Sequence, residues 1–222
     1  MKEIIRGYHI FLPKGWKRAV IYMAFPFLVM GICIVAGLNL AELNLPVFVL
    51  LFAGTSTLWA DGIIYFLIFG GFADKDSKHM EYIKSSSRGS GLFHRALVAD
   101  AVRRICSISL IFLAAFITVS ASLDIQMGIF LAGVFSITCL VAFVTSFVLG
   151  FLQNILWAFL VLGILNMIYG GATMLFLVAA SSGMHVGLLV LIILLVCGFT
   201  FLVIREHIAF LVRRMKGWYY DF

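Results

Sequence analysis

Charge is what this chain has least of: only 12% of its 222 residues are Asp, Glu, Lys or Arg, about half the share of an ordinary soluble domain. From Ile105 to Ile204 the only formally charged residue is Asp124. With 64% hydrophobic residues and a mean hydropathy of +1.14, a water-soluble fold would have to surface itself with Leu, Ile, Val and Phe, which excludes that class. The chain has no P-loop pattern, no G-x-G-x-x-G and no H-E-x-x-H, so phosphate-cradling, dinucleotide and zinc-protease chemistry are not indicated. Its four cysteines (Cys33, Cys106, Cys139, Cys197) stand alone, without C-x-x-C or metal-ligand spacing. They read as small apolar residues rather than a disulfide framework or metal site. The N-terminus is not expected to be a secretory signal, because its apolar stretch, Ala19–Leu38, exceeds the ~7–15 residues of an h-region and ends in no small-residue cleavage site.

What is present is a succession of long apolar runs. A membrane-spanning helix needs ~20 such residues, and the breaks in the sequence divide it into six: Ala19–Leu38, Pro46 to about Phe72, Ile105–Ala121, Ile129–Leu149, Ile155–Ala179 and Leu188–Ile204. The expected fold is therefore all-α, a polytopic six-helix membrane domain over residues 17–222. Residues 1–16 precede it with Lys2, Arg6 and Lys14 on one side and Ile4, Ile5, Tyr8, Phe11 and Leu12 on the other, the pattern of an amphipathic helix lying in the interface. The net charge of +6 does not point to nucleic acid, because the basic residues are confined to three clusters beside apolar runs. Five fall in the N-terminal segment, seven between Lys75 and Arg104 and four in the basic-aromatic tail 205–222, while the opposite connections hold only Glu42, Asp124 and His185. The positive-inside bias places both termini and segment 73–104 in the cytoplasm. The tail's Arg205, Arg213, Arg214 and Lys216 with Trp218, Tyr219 and Tyr220 read as an interfacial anchor to membrane lipids.

The opposite connections are stubs, so segment 73–104 is the main surface offered to soluble partners. Asp76 or Ser77 can cap a short helix with Met80 and Ile83 on one face and Lys78, Glu81 and Lys84 around them; Gly89 and Gly91 supply a bend. From Leu92 a second amphipathic stretch (Leu92, Phe93, Ala96, Leu97, Val102) runs directly into the third span. A protein pressing on the first helix could push the third span with little slack; the plain alternative is a solvated loop returning the chain to the bilayer.

This layout, with Met80-Glu-Tyr-Ile-Lys-Ser-Ser-Ser-Arg88 followed by a helix carrying Asp100, Arg103 and Arg104 into the third span, resembles an ABC-2-type ABC transporter permease over nearly the full length. The resemblance implies a transport subunit of the bacterial cytoplasmic membrane that is not itself an enzyme. ATP and Mg would then be bound by separate cytosolic ABC ATPase subunits. Residues 77–84 (Ser77, Lys78, Met80, Glu81, Ile83 and Lys84 among them) would dock in the ATPase groove, with Ser85–Arg88 as the turn beside it. A second permease copy or a related chain would complete the pathway. The outer hairpin that family members often carry between spans five and six hardly fits the length available here. Export of a hydrophobic peptide, an amphiphilic drug or a lipid is the activity expected.

Asp61 is the one charged residue well inside a run, and Gly54, Thr57 and Asp61 share a helix face. Such residues look into a bundle or a wet cavity. Asp61 therefore reads either as hydrogen-bonded to a neighbouring helix, with Asn166 the candidate partner, or as lining a pathway with Thr57 and Asn166. Proton-coupled secondary transport through Asp61 is one alternative function, and a non-transporting scaffold or immunity protein is another. In the transporter reading Asp61→Asn is expected to be tolerated or merely to shift substrate preference. Ser182-Gly-Met-His185 lacks a basic cluster or a positioned acid–base partner, so no catalytic residue is expected.

Overall fold

The computed structural model describes residues 25–40, 46–69, 88–119, 125–152 and 155–217. Within them the chain is six α-helices and no strand: α1 Phe25–Leu40, α2 Pro46–Phe69, α3 Gly89–Val119, α4 Ile125–Leu149, α5 Ile155–Ser181 and α6 Val186–Gly217. Long apolar runs become helices here because a helix satisfies its own backbone groups where water cannot. The hydroxyls embedded in them do the same: Thr138 donates to the Val134 carbonyl, Thr145 to Val141, Thr173 to Tyr169 and Thr200 to Val196. Each bond closes one helical turn back, so a polar residue is carried through an apolar helix at little cost.

Among the described residues, α2, α4, α5 and α6 are long and apolar enough to cross a membrane. The other two helices do not meet that measure. The described length of α1 is 16 residues, and α3 carries Arg95, Asp100, Arg103 and Arg104 in its first half. The third helix begins at Gly89, close to the Leu92 start of the amphipathic stretch expected to run into the third span. The last helix continues past Ile204 to Gly217, so most of the expected tail is an extension of α6. The interfacial helix at 1–16 and Trp218–Phe222 lie outside the described residues.

The helix α4 is central, packing on α2, α3, α5 and α6, while α1 lies against α2 and α3. The connection between α5 and α6 is short. Gly183 turns it in the left-handed region (φ 78°), which glycine adopts without steric cost, and the His185 carbonyl accepts the Leu188 and Leu189 N–H groups at 2.9 and 3.3 Å. Only Ser182–His185 separates the two helices, so no hairpin intervenes between them.

Close approach decides the packing of α2 on α5. A Cβ on Gly54 would fall onto the Tyr169 phenol, so the glycine makes the slot that the ring fills. The Tyr169 and Thr138 hydroxyls then lie 3.3 Å apart, linking α5 to α4. The buried apolar residues form two cores. One gathers Leu50, Ala53, Ile108, Phe130, Val134 and Tyr169. The other gathers Tyr65, Phe69, Phe93, Leu97, Leu149 and Leu211, where α2, α4 and α6 end and α3 begins. Outward faces of α5 and α6 remain apolar and open, with Leu156, Met167 and Leu175 each more than 70% exposed, a surface suited to lipid tails and not to water.

Candidate functional site

Two carboxylates and two guanidiniums meet inside the bundle, at the end of α2 and α4 where the second core begins. Helix α3 buries a single stripe: Phe93, Ala96, Leu97, Asp100, Arg104, Ile108 and Ile111 are all within 3% of full burial. This is the i, i+3/i+4 spacing of one helix face. Asp100 and Arg104 interrupt that apolar stripe, and Asp61 faces them from the matching stripe of α2.

The geometry leaves no charge unmatched. Arg104 Nε donates to Asp100 Oδ2 at 2.7 Å, and Nη1 donates to the Ser146 hydroxyl of α4. The same Nη1 lies 3.2 Å from Asp61 Oδ2, off hydrogen-bond alignment. Arg103 Nε donates to Asp100 Oδ1 and its Nη2 to Asp61 Oδ1, both at 3.1 Å. Side-chain exposure is 1% for Arg104, 6% for Asp61 and 8% for Arg103. The Ser146 hydroxyl donates its hydrogen bond to the Ala142 carbonyl at 2.9 Å, which leaves its lone pairs free for the guanidinium. The Arg104 plane also lies over the Tyr65 ring, 4.5 Å from the centroid, a cation–π contact strengthened by desolvation. Tyr65 carries the network to α6, its hydroxyl 3.2 Å from His207 Nε2.

Paired in this way, the four charges sum to zero. Burying them singly would cost several kcal/mol each, and good geometry with added hydrogen bonds offsets that cost. The arrangement contains no activated nucleophile, and among the described residues no group of His, Cys, Asp or Glu is placed to hold a metal. What it can do chemically is join helices: one centre binds α2 to α3 to α4, and through Tyr65 and His207 to α6.

Asp61, expected either to bond a neighbouring helix or to line a pathway, is ion-paired to Arg103 and Arg104 of α3. Asn166, the partner expected for it, instead donates its Nδ2 to the Leu162 carbonyl one turn back in α5, at 2.9 Å. Thr57 is buried on the α2 stripe and its hydroxyl donates to the Ala53 carbonyl. Of the coupling residues only Arg88 is described; it is exposed, and its carbonyl accepts the Leu92 N–H at 3.0 Å to start α3. Ser77, Lys78, Met80, Glu81, Ile83, Lys84 and Ser85 lie outside the described residues.

Sequence reasoning missed Tyr65, Ser146 and His207 as members of the centre. A signal existed for His207, which sits seven residues after Thr200 and four before Leu211, the spacing of one helix face; all three are buried. Ser146 gave none, being one of several hydroxyls in an apolar helix. No family model, no curated protein and no solved structure matches the chain.

Proposed function

We propose that this chain is the membrane-spanning permease subunit of an ATP-driven exporter of the ABC-2 type, with six spans and both termini cytoplasmic. The observation that carries the reading is α3. It is one unbroken helix of 31 residues, about 46 Å long at 1.5 Å per residue. Its first turn adjoins residues 77–88, the coupling segment, and its middle is ion-paired to α2 and hydrogen-bonded through Ser146 to α4. A displacement imposed at Gly89 would travel along a stiff rod and reach three other helices at the cluster.

ATP binding and hydrolysis occur on a separate ATPase in this reading. A second copy or a related chain supplies the rest of the pathway, and the substrate is a hydrophobic peptide, an amphiphilic drug or a lipid. The short Ser182–His185 link leaves no outer capture domain at that end of α5 and α6, which favours export. Expression with the neighbouring genes, gentle detergent extraction and mass spectrometry of what co-purifies test the reading. A P-loop ATPase should appear in stoichiometric amount and be lost when Met80 and Ile83 are changed to Asp. Purification without any ATPase would remove the reading's main support.

A further inference from the structure

Beside the charge cluster, on the α6 side, lies a cavity of about 10 Å³ walled by Asp100, Arg104 and His207 with Leu97, Phe143 and Ile204. Two polar atoms of these walls are buried without a hydrogen-bond partner among the described residues: Arg104 Nη2 and His207 Nδ1. Both side chains are at least nine-tenths buried, Arg104 at 1% exposure and His207 at 5%. Leaving such groups unsatisfied costs about 1–3 kcal/mol each, more for a charged one.

We propose that this cavity binds one structural water molecule, which bridges Arg104 of α3 to His207 of α6. The volume fits, since about 10–15 Å³ of this kind accommodates a single water. Chemistry selects among occupants of that size. Arg104 Nη2 can only donate, so the occupant must accept, and a cation is repelled. Asp100 on the same wall repels an anion and accepts a hydrogen bond. His207 Nδ1 carries a proton if the Tyr65 hydroxyl donates to Nε2, and offers a lone pair if Nε2 donates to Tyr65. Only an occupant that both donates and accepts satisfies either tautomer, and water has two to four such partners here. The bridge would join α6 to α3 by a contact that can be remade as the helices shift, whereas the α2–α3 contacts are direct ion pairs.

Radiolytic footprinting of the intact protein in detergent, begun just after mixing into ¹⁸O-water, tests this. Hydroxyl radicals formed from a water held in the cavity oxidise the side chains that touch it. Phe143 and His207 should be oxidised faster, by an order of magnitude, than Phe130 and Phe176, which are equally buried in the other core. The oxygen they incorporate should be ¹⁶O at early times, from a slowly exchanging water. In His207→Phe, which fills the cavity and removes Nδ1, oxidation of Phe143 should fall to the rate of Phe130. Wild-type rates no higher than those of the two control phenylalanines would overturn the proposal without recourse to the variant. So would a thermal midpoint that rises on exchanging chloride for bromide together with suppressed Phe143 oxidation, because the occupant would then be an anion.

Discussion

Replacing Asp61 by Asn is expected to destabilise the bundle by about 3–5 kcal/mol, the cost of breaking a buried ion pair by removing one partner. Asn keeps the shape of Asp61 and can still accept from Arg103, but it neutralises neither Arg103 nor Arg104. One carboxylate, Asp100, would then face two guanidiniums whose side chains are 8% and 1% exposed. A second change, Arg103→Met, restores neutrality, leaving Asp100 paired with Arg104. The double variant should therefore recover most of the loss, and the cycle should show strong non-additivity of the kind seen for residues in one network. Thermal or denaturant unfolding in mild detergent of the wild type, both single variants and the double variant measures this. An Asp61→Asn protein as stable as the wild type would mean that the cluster does not hold the helices. The sequence reading expected transport to tolerate Asp61→Asn or merely to shift substrate preference; the ion pairs add an expected loss of stability.

The second large effect concerns α3 as a lever. Ala99→Pro removes one backbone hydrogen bond and places the ring against the preceding turn, which costs about 3 kcal/mol or more inside a helix. It does so between Gly89 and the Asp100–Arg104 ion pair, so the two halves of α3 no longer move as one. In the exporter reading the variant still binds the ATPase, since residues 77–88 are untouched, but ATP-driven flux falls by an order of magnitude. Co-purification of the ATPase in unchanged amount, together with flux in proteoliposomes, checks both halves of the statement. Full flux with a broken α3 would show that force does not travel along this helix.

The bundle itself was largely readable from the runs. The start of α2, the end of α4 and the start of α5 fall where the apolar pattern places them, at Pro46, Leu149 and Ile155. The centre was not readable, and the reason is physical. The sequence put Asp100, Arg103 and Arg104 on a helix leading into the third span but gave no sign that they pack inside the bundle. Only the helical stripe Phe93–Leu97–Asp100–Arg104 puts two of them on the buried face. Their counter-charge, Asp61, lies 42 residues away from Arg103 in sequence, and such pairing is a property of packing that local pattern does not encode. His207 was hidden similarly, because Arg205 reads as the end of a span although the helix continues to Gly217.

ATP-dependent movement in proteoliposomes is the most direct test of the central claim. Vesicles containing this chain with its co-purified ATPase should move a fluorescent phospholipid analogue, an amphiphilic dye or a hydrophobic peptide only when ATP and Mg are supplied on the ATPase side. Vesicles containing the chain alone should hold an imposed proton gradient. A chain that dissipates the gradient without any ATPase, in a manner lost with Asp61→Asn/Arg103→Met although that protein remains folded, would contradict the exporter account and make the buried charge cluster a proton path.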